Sequence, residues 1–133
     1  MDSIQLVHQA IEAFERGGIE ELARFYHPEA EIVGGPFFGP KGTYRGGPDA
    51  LRSMMGVVES NHQELTPRTT AVRPGGTPDR VLVEGVVTSK STAGRPGGAW
   101  RSWWVVTVRD AKIARLEIFH DAAPALEAAG LPA

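Results

Sequence analysis

The sequence predicts an α+β fold, with helices first and a run of antiparallel strands afterwards. Two observations predict it: apolar residues recur at helical spacing before Ser60, and alternating strand patterns fill the chain after Pro67. No internal repeat and no linker interrupts the 133 residues, so 1–133 reads as a single domain. Elements in that order pack their helices on one face of the sheet.

Ile4, Val7, Ile11 and Phe14 make the first apolar stripe, with Glu12, Glu15 and Arg16 elsewhere on the helix. Asp2 followed by Gln5 fits a capping box, and Gly17-Gly18 ends the helix where a positive φ is useful. Ile19, Leu22, Phe25 and Tyr26 give a second, short helix. His27-Pro28 stops it, because proline disfavours helical geometry in the residue before it. Residues 29–33 alternate charged and apolar side chains, as a half-buried strand does. Residues 34–47 read as loop, with Phe37, Phe38, Tyr44 and Arg45 set among glycines and prolines. Pro48 takes the first position of a third helix, with Asp49 in its dipole-favoured first turn. Leu51, Met54, Met55 and Val58 form that helix's apolar face. Strands are expected over 67–73, 80–88, 99–109 and 112–120. They are joined by a turn at 74–79, a polar hairpin loop at 88–98 and a tight turn at Asp110-Ala111. A short helix follows Asp121.

Composition narrows the function. Hydrophobic content of 41% with 23% charged residues is ordinary for a globular domain. A net charge of −2, with fourteen scattered Lys and Arg, creates no field to draw nucleic acid or an anionic membrane. With no cysteine, disulfides, thiolate nucleophiles and Cys-ligated metals are excluded. The longest apolar runs fall far short of the ~20 residues a membrane span needs. The chain opens directly on an amphipathic pattern, so a cytoplasmic protein without a leader is expected.

Four stretches, taken in order, carry a resemblance. They are His27-Pro28-Glu29-Ala30-Glu31; Thr43-Tyr44-Arg45-Gly46; Asp79-Arg80-Val81-Leu82-Val83-Glu84-Gly85; and the ending from Trp100 through the hairpin to His120-Asp121 and Gly130. In that order and spacing the chain resembles the SnoaL-like branch of the nuclear transport factor 2 (NTF2-like) superfamily. The resemblance implies a cone. Three N-terminal helices pack on a strongly curved antiparallel sheet, a short C-terminal helix follows, and the space between serves as an active site or a binding pocket.

The active sites of that superfamily provide a first test. Ketosteroid isomerases carry a general-base aspartate at the end of the first strand, but the matching Ile32-Val33-Gly34-Gly35-Pro36 has no carboxylate. Their oxyanion-binding tyrosine falls at Ala10 or Ile11 and their protonated aspartate at Trp104, so that constellation is not expected here. Limonene epoxide hydrolases need an Asp-Arg-Asp cluster, whereas the five aspartates of this chain each have a local structural role. Asp2 and Asp49 sit at helix starts, and Asp79 and Asp110 sit in turns. Asp121 keeps two readings. One is a cap for the C-terminal helix. The other is an acid/base group, because SnoaL-type cyclases place an aspartate near this strand end.

Leu116, Ile118 and His120 share one strand face, and the resemblance sends that face toward the cavity. An imidazole there suits general acid or base work; the alternative is a half-exposed histidine at a strand end. His8 borders the first helical stripe, His27 belongs to the turn into the first strand, and His62 follows the third helix. No two histidines have metal-ligand spacing, so no metal is expected. Glu84 keeps two readings: a buried acid or base flanked by Leu82 and Val86, or an outer-face residue paired with an arginine or at a subunit contact, which is favoured because Val81, Val83 and Val87 make the more continuous apolar face. Trp104 is assigned to the cavity, and Trp103 to core and dimer contact.

Three readings of function follow. The first is a small cofactor-independent enzyme that performs acid/base chemistry (isomerase, cyclase or hydrolase/lyase type) on a small hydrophobic carbonyl or epoxide compound. His120 is its acid/base group, Tyr44 or Arg45 polarises an oxygen, and Asp121 is the next candidate. Phe14, Tyr26, Phe37, Phe38, Met54, Val58, Trp104, Val106, Leu116 and Ile118 are its substrate-binding wall. The second reading is a non-catalytic small-molecule-binding or accessory protein using the same pocket. The third is a protein–protein module using the outer sheet face. A homodimer through outer sheet faces is expected, because the stretch from Trp100 to Val108 is apolar on both sides and only one side can enter the cone.

Overall fold

The computed structural model describes residues 2–34, 42–61 and 63–132. Its first helix, α1 (Ser3–Ala23), starts where Asp2 Oδ1 accepts the Gln5 N–H at 2.8 Å. Gly18 breaks it with φ 73° and ψ −154°, a backbone geometry that glycine reaches without steric cost. The two expected helices are therefore one kinked element. Tyr26 has left it and opens β1 (Tyr26–Val33), so His27 and Pro28 are strand residues rather than a turn. The strand absorbs the proline through a register shift between Tyr26 and Glu31.

A three-residue strand, β2 (Thr43–Arg45), pairs antiparallel with β1 where the sequence reads as loop. It is too short to show a period. Then comes α2 (Pro48–Ser60), followed by β3 (Gln63–Pro74), β4 (Arg80–Ser91), β5 (Pro96–Arg109) and β6 (Lys112–Phe119). The β4–β5 arm extends well into the expected loop at 88–98. Polar cross-strand pairs hold it: Ser89 Oγ donates to Gln63 Oε1 at 2.7 Å, and Lys90 pairs with Glu64 at 3.4 Å. Asp110 and Ala111, with φ of 54° and 59°, close the β5–β6 hairpin as a two-residue loop needs.

The six strands form one open curved sheet in the order β2-β1-β6-β5-β4-β3. Every pair is antiparallel except β1–β6, which is parallel. Its inner face and the helices α1 and α2 enclose the larger core, with Val7, Ala10, Tyr26, Ile32, Leu51, Met54, Val83, Val106 and Ile118 buried. At the α1–α2 junction Arg52 reaches Glu20 at 3.0 Å and Asp49 at 2.8 Å.

The last helix, α3 (Ala122–Ala128), packs on the opposite face of the sheet. There Ala125 and Ala129 cover Leu82, Trp103 and Val105 in a second core. The outer apolar positions that the sequence leaves to a partner are thus covered within the chain. Gly130 (φ 76°) ends α3, with Leu131 N–H donating to Leu126 C=O at 2.9 Å and Gly130 N–H to Glu127 C=O at 3.0 Å. That pairing is a Schellman motif. The Gly76 N–H binds the Ala129 carbonyl at 2.8 Å and the Arg80 guanidinium binds the Ala128 carbonyl at 2.7 Å, so cationic and N–H donors meet the helix's negative end.

Candidate functional site

Side-chain alternation on β3 to β6 builds one wall of an interior space from apolar rows that cross the sheet. Pro67, Val87 and Trp100 form one row, Val83, Trp104 and Ile118 a second, and Val81, Val106 and Leu116 a third. Opposite them, α1 contributes Val7, Ala10, Ile11 and Phe14, and α2 contributes Leu51, Met54 and Met55. The space so enclosed is a cavity of about 200 Å³. Buried Val7, Ala10, Tyr26, Leu51, Met54 and Ile113 form its depth, and exposed Glu15, Pro67 and His120 stand at its rim.

Trp104 fits this wall because Gly85 faces it from β4. A Cβ at Gly85 would come within 2.7 Å of the Trp104 ring and 2.5 Å of the Arg68 carbonyl oxygen. Ser102, only 2% exposed, lies one row nearer the rim, and its Oγ donates to the Phe119 carbonyl at 3.4 Å. Trp103 pairs with Phe119, so the next step of the ladder sets Ser102 opposite His120.

Of the expected site residues, His120, Phe14, Tyr26, Met54, Trp104, Val106, Leu116 and Ile118 line this cavity together. Val58 is buried but belongs to the core beside the cavity, not to its lining. Phe37, Phe38 and His62 lie outside the described residues.

Tyr44 and Arg45 do not reach the site, because β2 is the sheet edge beyond β1, far from the β3–β5 wall. Tyr44 sits opposite Ile32 and packs against the larger core. Arg45 points to the outer face, where it pairs with Glu31 at 3.4 Å; Arg115 binds the same carboxylate at 3.1 Å. Asp121 occupies the N-cap position of α3, but its side chain makes no capping hydrogen bond, and it does not line the cavity. His8 is exposed on α1, outside the lining. His27 is held on the sheet, accepting the Glu29 N–H at Nδ1 (3.0 Å) with Nε2 3.4 Å from Asp110. Glu84 is on the outer face, 3.7 Å from Arg73.

Sequence reasoning missed four polar or amphipathic lining residues: Glu15, Thr69, Trp100 and Ser102. Trp100 and Ser102 share the parity of Trp104 and were legible from it. Glu15 and Thr69 were not, since each sits where its own element reads as polar surface. Tyr26, read as apolar wall, also brings a hydroxyl, and burial pushes its pKa well above the usual tyrosine range. Among the described residues no group of three or more His, Asp or Glu converges to hold a metal ion, and no helix is long and apolar enough to cross a membrane.

The profile of the SnoaL-like domain matches residues 7–116, most of the chain. Among solved structures, a nuclear transport factor 2-like protein of Burkholderia thailandensis superposes with a TM-score of 0.76 at 20% identity, covering 99% of each chain. The protein TerC, co-crystallised with polyporic acid, gives 0.69 at 24% identity over 93% of this chain and 97% of its own. A Mycobacterium tuberculosis protein in complex with estradiol-17β-hemisuccinate gives 0.69 at 13% identity over 94% and 98%. Other similar structures are named as candidate polyketide cyclases. No curated protein matches the sequence.

Proposed function

The chain belongs to the family of SnoaL-like domains, and on that premise we propose that it is a cofactor-independent enzyme moving protons on a small apolar carbonyl compound. The observation that carries this reading is His120: it is the imidazole at the rim of a cavity walled mainly by aromatic and aliphatic side chains, with Glu15, Thr69 and Ser102 among its polar lining. A 200 Å³ space suits a single substituted ring or two small fused rings, since a cavity of about 150 Å³ holds benzene. Two proteins of the same fold were crystallised with polyporic acid and with estradiol-17β-hemisuccinate, ring compounds that also carry oxygen but are larger than this space would hold.

In the proposed step, neutral His120 removes a proton from the carbon next to the carbonyl. The C–H electron pair becomes a C=C bond and the carbonyl π pair moves onto the oxygen, giving an enolate. Return of the proton to a different carbon completes an isomerisation; attack of the enolate carbon on a second carbonyl of the same molecule completes a cyclisation, the new alkoxide taking the proton back from His120.

Incubation in D₂O with a panel of apolar ketones, lactones and epoxides tests it. Deuterium should enter beside the carbonyl of at least one ketone, and His120→Ala should slow that exchange by roughly 10²–10⁴-fold. Exchange at full rate in the variant refutes the role of His120. Ligand binding without exchange would establish the alternative, a carrier or accessory protein.

A further inference from the structure

We propose that the Tyr26 hydroxyl is the hydrogen-bond donor at the floor of the cavity, and that it selects ligands whose leading end carries an acceptor oxygen. The proposal deepens the reading of the cavity as a ligand site and rests on it. Tyr26 is only 4% exposed, yet it lines the cavity. Among the described residues no group hydrogen-bonds its hydroxyl. Nor does any buried side-chain nitrogen or oxygen lack both a partner and open space. The hydroxyl therefore opens on the cavity itself, the one direction in which it can still be satisfied.

Its neighbours there cannot replace the missing partner. Val7, Ala10, Leu51, Met54, Val106 and Ile113 bring only carbon or thioether sulfur to the depth of the site. The backbone beneath it is pinned, because Ile113 N–H donates to the Phe25 carbonyl at 2.7 Å and Tyr26 pairs with Ile113 across β1–β6. A donor fixed in an apolar floor discriminates by leaving itself unpaired against a ligand that lacks an acceptor. Burial also keeps the phenol protonated, so it stays a donor under all ordinary conditions. This places one acceptor oxygen of the ligand at the floor and its apolar body against Trp104; in a ligand with a second carbonyl at its other end, that carbonyl and the carbon beside it lie toward His120.

The probes are 1-indanone and indane, which share a ring system and differ by one carbonyl oxygen. Titration by tryptophan fluorescence should show wild-type protein binding 1-indanone more tightly than indane. Tyr26→Phe, which removes only the unpaired oxygen, should weaken 1-indanone on the order of 5–10-fold and leave indane unchanged or tighter. The carbonyl stretch of bound 1-indanone should fall to lower wavenumber in wild type and not in the variant, a readout independent of overall stability. Equal affinity of both proteins for 1-indanone, or an unshifted carbonyl in wild type, overturns the proposal while leaving the cavity as a ligand site. Binding of neither probe to wild type overturns both.

Discussion

The indole of Trp104 lies against the bare face of Gly85, two neighbours on adjacent strands whose fit gives the cavity its width. A methyl group at Gly85 would meet the ring at 2.7 Å and the Arg68 carbonyl oxygen at 2.5 Å. Neither approach is tolerable, so the ring must move off the sheet into the open space and the β3 backbone must draw back at Arg68. Gly85→Ala is expected to cost about 1–3 kcal/mol of stability through overpacking, and to weaken 1-indanone binding as the ring occupies the ligand's volume. Denaturant melts and the same fluorescence titration check this. Unchanged binding in a destabilised protein would mean that the backbone, not the ring, gives way.

Trp103 should separate from Trp104 in every assay. Its ring is 6% exposed in the second core beneath α3 and touches none of the cavity. Trp103→Ala is expected to destabilise by about 3–5 kcal/mol, as large-to-small core changes do, while the folded fraction binds ligand as wild type. A loss of affinity exceeding the loss of folded protein would show that the two faces of the sheet are coupled.

How far the sequence could be read follows from what each signal depends on. Periodicity located α1, α2 and the long strands because their buried faces are continuous, and strand parity separated Trp104 from Trp103. Parity put Leu116, Ile118 and His120 on one face, and the family resemblance turned that face to the cavity. Tyr44 and Arg45, read as part of a loop near the cavity, fall outside its lining, because proximity across a sheet depends on strand order, and no local pattern reveals that β2 is the edge beyond β1. The polar arm of β4 and β5 was invisible for a different reason: the pairs that tie it to β3 are Ser, Gln, Lys and Glu, which read as loop until their partners are known. The closing of the outer face by α3 likewise depends on tertiary contacts from Gly76 and Arg80.

The docking of α3 rests on a close approach that only glycine permits. A Cβ on Gly76 would lie 2.1 Å from the Gly130 carbonyl oxygen. Gly76→Ala should therefore loosen α3 and expose the Trp103 side of the sheet, raising amide exchange in Ala125 and Ala129 before global unfolding. Native exchange at both positions would show that the turn accommodates the methyl group without releasing the helix.

The clamp from Arg52 to Glu20 and Asp49 makes an acid-sensitive contribution. The Arg52 guanidinium, hydrogen-bonded to Glu20, holds that carboxyl below the usual glutamate value. A lowered folded pKa means the stabilisation is present above the unfolded value, about pH 4.3, and is lost as pH falls through the folded one. Both side chains are exposed, so the effect is small and weakened by salt. Glu20→Gln should be slightly less stable than wild type at neutral pH, with the difference vanishing on acidification. A difference that persists at low pH would assign it to packing instead of charge.

Tyr26 gives the opposite pH dependence, and a sharper one. Burial raises the pKa of its hydroxyl in the folded protein, so the neutral form is favoured there relative to the unfolded chain. That stability is complete below the unfolded tyrosine value of about 10 and is lost as pH rises through the higher folded value. In a Tyr44→Phe background, phenolate absorbance should therefore appear together with unfolding and not ahead of it. Replacing Tyr26 with phenylalanine should remove this alkaline component, making the variant's stability fall less steeply above about pH 10. Urea titrations at successive pH values measure the slope directly. Parallel slopes for the two proteins, or phenolate formation in a fully folded chain, would mean that the hydroxyl reaches bulk water. The floor donor assigned to the cavity would then have no basis.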